Sequence, residues 1–138
     1  MMERAAPEGD WQPDAWIVDD EPAAASLAEE LCASGGVRAT VFHAPLAYLA
    51  SLRDSPPPRA VILDWRLERE LSAGLFLATR HHHPRLPIIC WTGSAVSSLP
   101  TMIRDDRLTI VVDKAGGAAA FDHALHWALT AQEPAGSA

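Results

Sequence analysis

Five short apolar runs alternate with five helix-forming stretches along this chain, and that alternation fixes the fold class before any other feature does. The runs are "AWIV" at 15–18, "VRATVF" at 37–42, "AVILD" at 60–64, "PIICW" at 87–91 and "LTIVVDK" at 108–114. The first is a short continuous apolar run, as suits a strand buried on both faces, and the second is β-branched and short, as suits a strand. The first intervening helix is "EPAAASLAEELCAS", with Pro22 near its first turn, Leu27, Leu31 and the alanines between them as its expected apolar stripe, and Gly35-Gly36 as its stop. "APLAYLASLRDS" is a short helix ended by the prolines at 56–58. A third helix at 72–83 has Leu75, Leu77 and Ala78 as expected core residues, and "SSLPTMIRDD" is a short fourth. The fifth, "AAAFDHALHWALTA", spaces Phe121, Leu125 and Leu129 for one face. Strand and helix in strict alternation predict an α/β domain with a parallel sheet and helices on both sides. The expected layout is an arm at 1–14, one domain at 15–131 and a tail at 132–138.

A length of 138 residues suits a single domain with a real core. The net charge of −7 argues against sequence-independent binding to nucleic acid, which needs basic patches. Cys32 and Cys90 form no CxxC pair and read as small buried hydrophobes. The first residues contain no apolar core of a signal peptide, and no apolar run approaches the ~20 residues that span a bilayer. A cytoplasmic protein without membrane attachment is the expectation.

The polar residues collect where the apolar runs end. In an open parallel sheet, ligands bind outside the carboxyl ends of the strands, at the point where strand order reverses. The first run ends in Asp19, Asp20 and Glu21, the third in Asp64, the fourth in Thr92 and the fifth in Lys114. The second ends in Phe42-His43 and offers nothing obvious. Taken singly, each is an ordinary helix cap, turn residue or surface charge. Together they are four acids, a hydroxyl and an ammonium at one edge of one sheet. Two like charges ~4 Å apart repel by ~1 kcal/mol in water and ~4 kcal/mol near a protein surface. A divalent cation at the acids removes that cost, and clustered carboxylates are the donors Mg²⁺ prefers. Such a group suits phosphoryl transfer to a carboxylate, with the hydroxyl and the ammonium holding phosphoryl oxygens.

"WIVDDEP", "AVILDW", "IICWTG" and "VVDK" resemble the receiver domain of bacterial two-component response regulators, over about residues 15–130. The intervals fit as well: 44 residues from Asp20 to Asp64, 28 from Asp64 to Thr92, and 22 from Thr92 to Lys114. The resemblance implies a flavodoxin-like (βα)5 fold with sheet order 2-1-3-4-5. It implies that Asp64 is the phosphoacceptor, served by a phosphohistidine on a sensor histidine kinase or histidine phosphotransfer protein. Asp20 would bind Mg²⁺ directly, with Mn²⁺ as a substitute, and Asp19 largely through water. The backbone carbonyl of Arg66 would add a ligand. Thr92 and Lys114 would contact the phosphoryl group. Glu21 reads as an exposed residue at the start of a helix, where the helix dipole favours it. Output would run through an unidentified protein partner, from a monomer or a phosphorylation-dependent homodimer. The chain would be no enzyme beyond its own phosphorylation and dephosphorylation.

Several positions depart from the family pattern. The stretch "DWRLERELSAG" has no proline, and Gly74 stands ten residues after Asp64 where eight is usual, which implies a two-residue loop expansion. Arg66 has two readings: a cation near the phosphoryl group, or a solvent-facing partner of Glu68 or Glu70. Trp65 and Trp91, beside Asp64 and Thr92, are candidate modulators and intrinsic probes. Ala115 replaces the usual proline after the lysine, so a trans peptide is expected and the aim of Lys114 is in question. Val111 stands where an aromatic switch residue is usual. The histidines at 81–83 read as a helix end rather than a zinc site, since adjacent helical residues point apart. His123 and His126 read as surface or partner-facing.

Two other functions compete with the switch: a binding module that keeps the fold without phosphorylation, and an aspartate-nucleophile phosphatase. The phosphatase pattern calls for D-x-D after the first strand, which "VDDEP" lacks. A flavin carrier on this type of sheet would seat phosphate where three acids stand, and they would repel it.

Overall fold

A computed structural model describes residues 14–65, 70–93 and 99–131. Its five strands are β1 (Ala15–Val18), β2 (Ala39–Phe42), β3 (Ala60–Trp65), β4 (Ile88–Thr92) and β5 (Thr109–Asp113). The helices are α1 (Pro22–Ser34), α2 (Pro45–Asp54), α3 (Glu70–His82), α4 (Thr101–Arg104) and α5 (Gly117–Ala131). All strand pairs are parallel, in the order β2-β1-β3-β4-β5, so the expected topology holds. The arm (apart from Asp14), the tail and the expected loop expansion lie outside the described residues. None of the helices is long and apolar enough to cross a membrane.

Period-two alternation divides the core between the two faces of the sheet. Ile17, Ile62, Ile89 and Trp91 pack with Ala28, Cys32, Phe121 and Leu125 from α1 and α5. Trp16, Val18, Val61, Leu63, Ile88 and Cys90 pack on the other face with Tyr48, Leu52, Phe76 and Ile103. Trp16, Phe42 and Tyr48 meet edge to face, with centroids 5.3 to 6.0 Å apart. The Tyr48 hydroxyl lies 2.6 Å from Thr79 Oγ1, whose own hydroxyl donates to the Leu75 carbonyl.

Two core assignments need correction. In α1 the buried face is Ala25, Ala28 and Cys32, while Leu27 is 48% exposed and Leu31 is half-buried. Small residues let α1 lie close to the sheet and α5; Leu27 is turned outward, while Leu31 packs half-buried against the edge of that core. In α3 the inward residues are Ser72, Leu75, Phe76 and Thr79, spaced three and four apart. Leu77 falls outside that stripe and is 54% exposed.

Cys32 and Cys90 are buried free thiols. Burial first, then nearby Glu29 and Asp122, pushes Cys32 up to about 12, and burial, then Asp106, does the same for Cys90. Because the thiolate is the reactive form, a disulfide reagent at pH 8 is expected to leave both thiols intact in the native protein. Both should react after denaturation, and fast native reaction of either would contradict this packing.

Candidate phosphoacceptor site

Strand register assembles the site. β1 and β3 pair through Val18↔Leu63, so the next residues along, Asp19 and Asp64, emerge side by side at the carboxyl edge. Strand order reverses between β1 and β3, which opens a crevice there. Asp19, Asp20 and Asp64 each offer a carboxylate oxygen, and these atoms lie within 4.8 Å of one another. Asp19 and Asp64 are buried and Asp20 is exposed. The Asp19 carboxylate also accepts the Glu21 N–H at 2.9 Å, fixing the turn into α1. Glu21 itself is exposed just before α1, as expected. Three oxygen donors, converging and facing a crevice, are the chemistry of a hard divalent cation, so the residues present fit Mg²⁺.

Lys114 reaches the same site from the end of β5. Its Nζ donates to Asp64 Oδ1 at 2.7 Å. The described residues contain no cis peptide, so this aim is achieved with a trans bond before Ala115. Residues 114–116 form a 3-10 turn, and the Ala115 N–H donates to Asp113 Oδ1 at 2.8 Å. A proline at 115 has no N–H and could not make this bond. Asp113→Ala should therefore cost about 1 kcal/mol of stability by chemical denaturation and loosen the aim of Lys114. An unchanged denaturation midpoint would rule out this role.

Thr92, the last residue of β4, is fully buried. It stands one rung beyond Asp64, paired with Trp65 on one side and Asp113 on the other. Trp91 is the residue opposite Asp64. Trp65 is buried against the α2/α3 side of the sheet and Trp91 against the α1/α5 side. Val111 packs half-buried at the edge of the α2/α3-side core. Arg66, with its carbonyl, lies outside the described residues.

A cavity of about 60 Å³ adjoins the acids, lined by Asp19, Asp20, Asp64, His43, Pro45, Leu71, Ser72 and Leu75. The Ser72 hydroxyl donates to the Asp64 backbone carbonyl at 3.3 Å. The sequence singled out neither His43 nor Ser72. His43 carried a usable signal, as the residue ending β2 at the same sheet edge. Ser72 carried none, because its position depends on the loop before α3. His81 and His82 close α3, and the ring Nε2 of His83, just beyond it, lies 3.0 Å from the Leu52 carbonyl oxygen. Among the described residues, the group able to hold a metal is the three aspartates. His123 and His126 are exposed on α5.

No protein-family model matches the chain, and no curated protein matches it by sequence. Solved structures do. NtrX from Brucella abortus in complex with ATP aligns with a TM-score of 0.77 at 23% identity, over 91% of this chain. This chain spans only 29% of that NtrX chain. The signal receiver domain of a putative Luxo repressor protein from Vibrio parahaemolyticus gives 0.75 at 15% identity, covering 91% of this chain and 97% of that one. A response regulator receiver protein from Sinorhizobium medicae gives 0.66 at 17%, covering 84% and 93%. The fold is that of a response regulator receiver domain. Within a receiver fold, the acids, Thr92 and Lys114 occupy one edge, and Arg80 and Asp106 belong to the opposite one. Arg80 donates to both Asp106 carboxylate oxygens at 3.0 Å and to the carbonyls of His83, Pro84 and Leu86.

Proposed function

We propose that this domain is a phosphorylation switch that accepts a phosphoryl group on Asp64 and signals through altered affinity for a partner protein. The observation that supports it best is the convergence of three carboxylates within 4.8 Å, one of them held by Lys114 at 2.7 Å. The donor is a phosphohistidine of a kinase or phosphotransfer protein in the cytoplasm. An Asp64 carboxylate oxygen attacks phosphorus in line, the new O–P bond forms as the N–P bond breaks, and the imidazole nitrogen keeps the electron pair. Asp19, Asp20 and Asp64 would hold Mg²⁺, which would supply neutralising charge for the phosphoryl oxygens. Lys114, freed as the Asp64 carboxylate becomes an acyl phosphate, donates to a phosphoryl oxygen. Thr92 supplies a hydroxyl at the neighbouring rung. The chain turns over no separate substrate.

The test is incubation with acetyl phosphate, with and without Mg²⁺, followed by peptide mass spectrometry. Phosphorylation at Asp64 that requires the metal is expected. Protein that stays unlabelled, and whose tryptophan fluorescence is also indifferent to beryllofluoride with Mg²⁺, would leave the phosphorylation-independent binding module as the better reading.

A further inference from the structure

Lys114 has a second partner besides Asp64. Its Nζ lies over the face of the Trp91 ring, 5.0 Å from the centroid. That is inside the ~6 Å range in which an indole face attracts an ammonium, and the attraction grows when the ring is shielded from water. Trp91 is so shielded, at 4% exposure. The ring is itself held by α5, where Phe121 meets it edge to face at 5.4 Å and 74°. Trp91 also pairs directly across the ladder from Asp64. A chain of contacts thus runs from the carboxylate through the ammonium and the indole to Phe121.

We infer that Trp91 is a positioning residue that seats the Lys114 ammonium on its indole face, keeping it within reach of Asp64 and of whatever charge Asp64 acquires. The inference rests on the reading of Asp64 as phosphoacceptor only for its kinetic consequence. The physical reason is that a lysine side chain is long and flexible, and one ion pair leaves it free to swing when the charge it serves moves. During transfer, negative charge shifts from the carboxylate towards the phosphoryl oxygens. A neutral aromatic face is indifferent to that shift. It holds the ammonium before and after, which a carboxylate partner cannot do. The 3-10 turn, capped through Ala115, sets the backbone of Lys114, and the indole sets its tip.

The test uses a property of the composition: Lys114 is the only lysine in the chain. Protein grown on lysine labelled at the ε carbon therefore gives one side-chain NMR signal. In the wild type, the Lys114 ε-methylene protons are expected to be displaced upfield by the indole ring current. A signal at the position of a free lysine would overturn the seat, and this arm needs neither a variant nor phosphorylation. Trp91→Leu should abolish the displacement and slow acetyl-phosphate labelling of Asp64 by about 5- to 30-fold. Trp91→Phe, which restores an aromatic face, should recover most of the rate. Equal slowing by Leu and Phe, or no slowing by Leu in folded protein, would reduce Trp91 to packing. If the wild type is never labelled and its fluorescence ignores beryllofluoride with Mg²⁺, yet its lysine signal is displaced, the proposed function fails while the seat stands.

Discussion

Asp64→Asn protein is expected to carry no phosphoryl group after acetyl phosphate and Mg²⁺ treatment that labels the wild type. The amide oxygen bears no formal charge and the amide nitrogen's pair is delocalised, so no nucleophile remains at the end of β3. The substitution is close to isosteric, and Asp64 contributes no apolar packing, so the fold should persist. The same change weakens metal binding, because one of the three converging carboxylates becomes neutral. In the wild type, Mg²⁺ at 100 times its Kd should add about 2.7 kcal/mol to unfolding stability. In Asp64→Asn that gain should shrink markedly, which thermal unfolding with and without Mg²⁺ measures. An undiminished Mg²⁺ response would mean that the three aspartates do not act as one ligand set. Phosphorylation that survives the change would place the acceptor elsewhere.

The second large effect lies at the opposite edge of the sheet. Arg80→Ala is expected to cost about 3 kcal/mol of stability. Arg80 and Asp106 side chains are 19% and 15% exposed, so the pair is mostly removed from water. Without the guanidinium, Asp106 keeps, among the described residues, the Leu108 N–H and the Thr109 hydroxyl, and the carbonyls of His83, Pro84 and Leu86 lose their shared donor. Burial pulls the Asp106 carboxyl upward, but the bonds from Arg80, Leu108 and Thr109 outweigh it and hold the group below the usual carboxylate range. A depressed folded pKa means the pair's stabilisation is present above the ordinary carboxylate range and is lost as pH falls through the folded value. The wild type should therefore lose part of its stability below about pH 4, and Arg80→Ala should show a flatter acid limb. Denaturant titrations across pH 2–7 decide it, and parallel acid limbs would refute the account.

Much of this was legible in the sequence because two periodicities are strong. Continuous apolar runs ending in polar residues located the strands, and parallel topology then forced Asp19, Asp64, Thr92 and Lys114 to a common edge. Helix faces were read less well. Leu27 and Leu77 look like core residues by hydrophobicity, yet close helix packing selected Ala25, Ala28 and Cys32 in one case and Phe76 in the other. Single residues such as Leu77 carry no record of how near a helix approaches its sheet. Arg80 was unreadable for a related reason: its partners, Asp106 and Thr109, are 26 and 29 residues away and meet it only in the folded chain. The Trp91 ring beneath Lys114 belongs with these, since the contact joins β4 to the turn after β5.

The solitary lysine has a further consequence for reagents. A mixed anhydride such as acetyl phosphate presents two electrophiles, a phosphorus that carboxylates attack and a carbonyl carbon that amines attack. Here the only amine side chain sits 2.7 Å from the carboxylate oxygen that competes for the same molecule. An amine attacks only through a free lone pair, and the Lys114 Nζ donates to Asp64 and lies over the Trp91 ring, so a mass spectrum of the treated wild type should show a phosphoryl adduct at Asp64 and no acetyl adduct at Lys114.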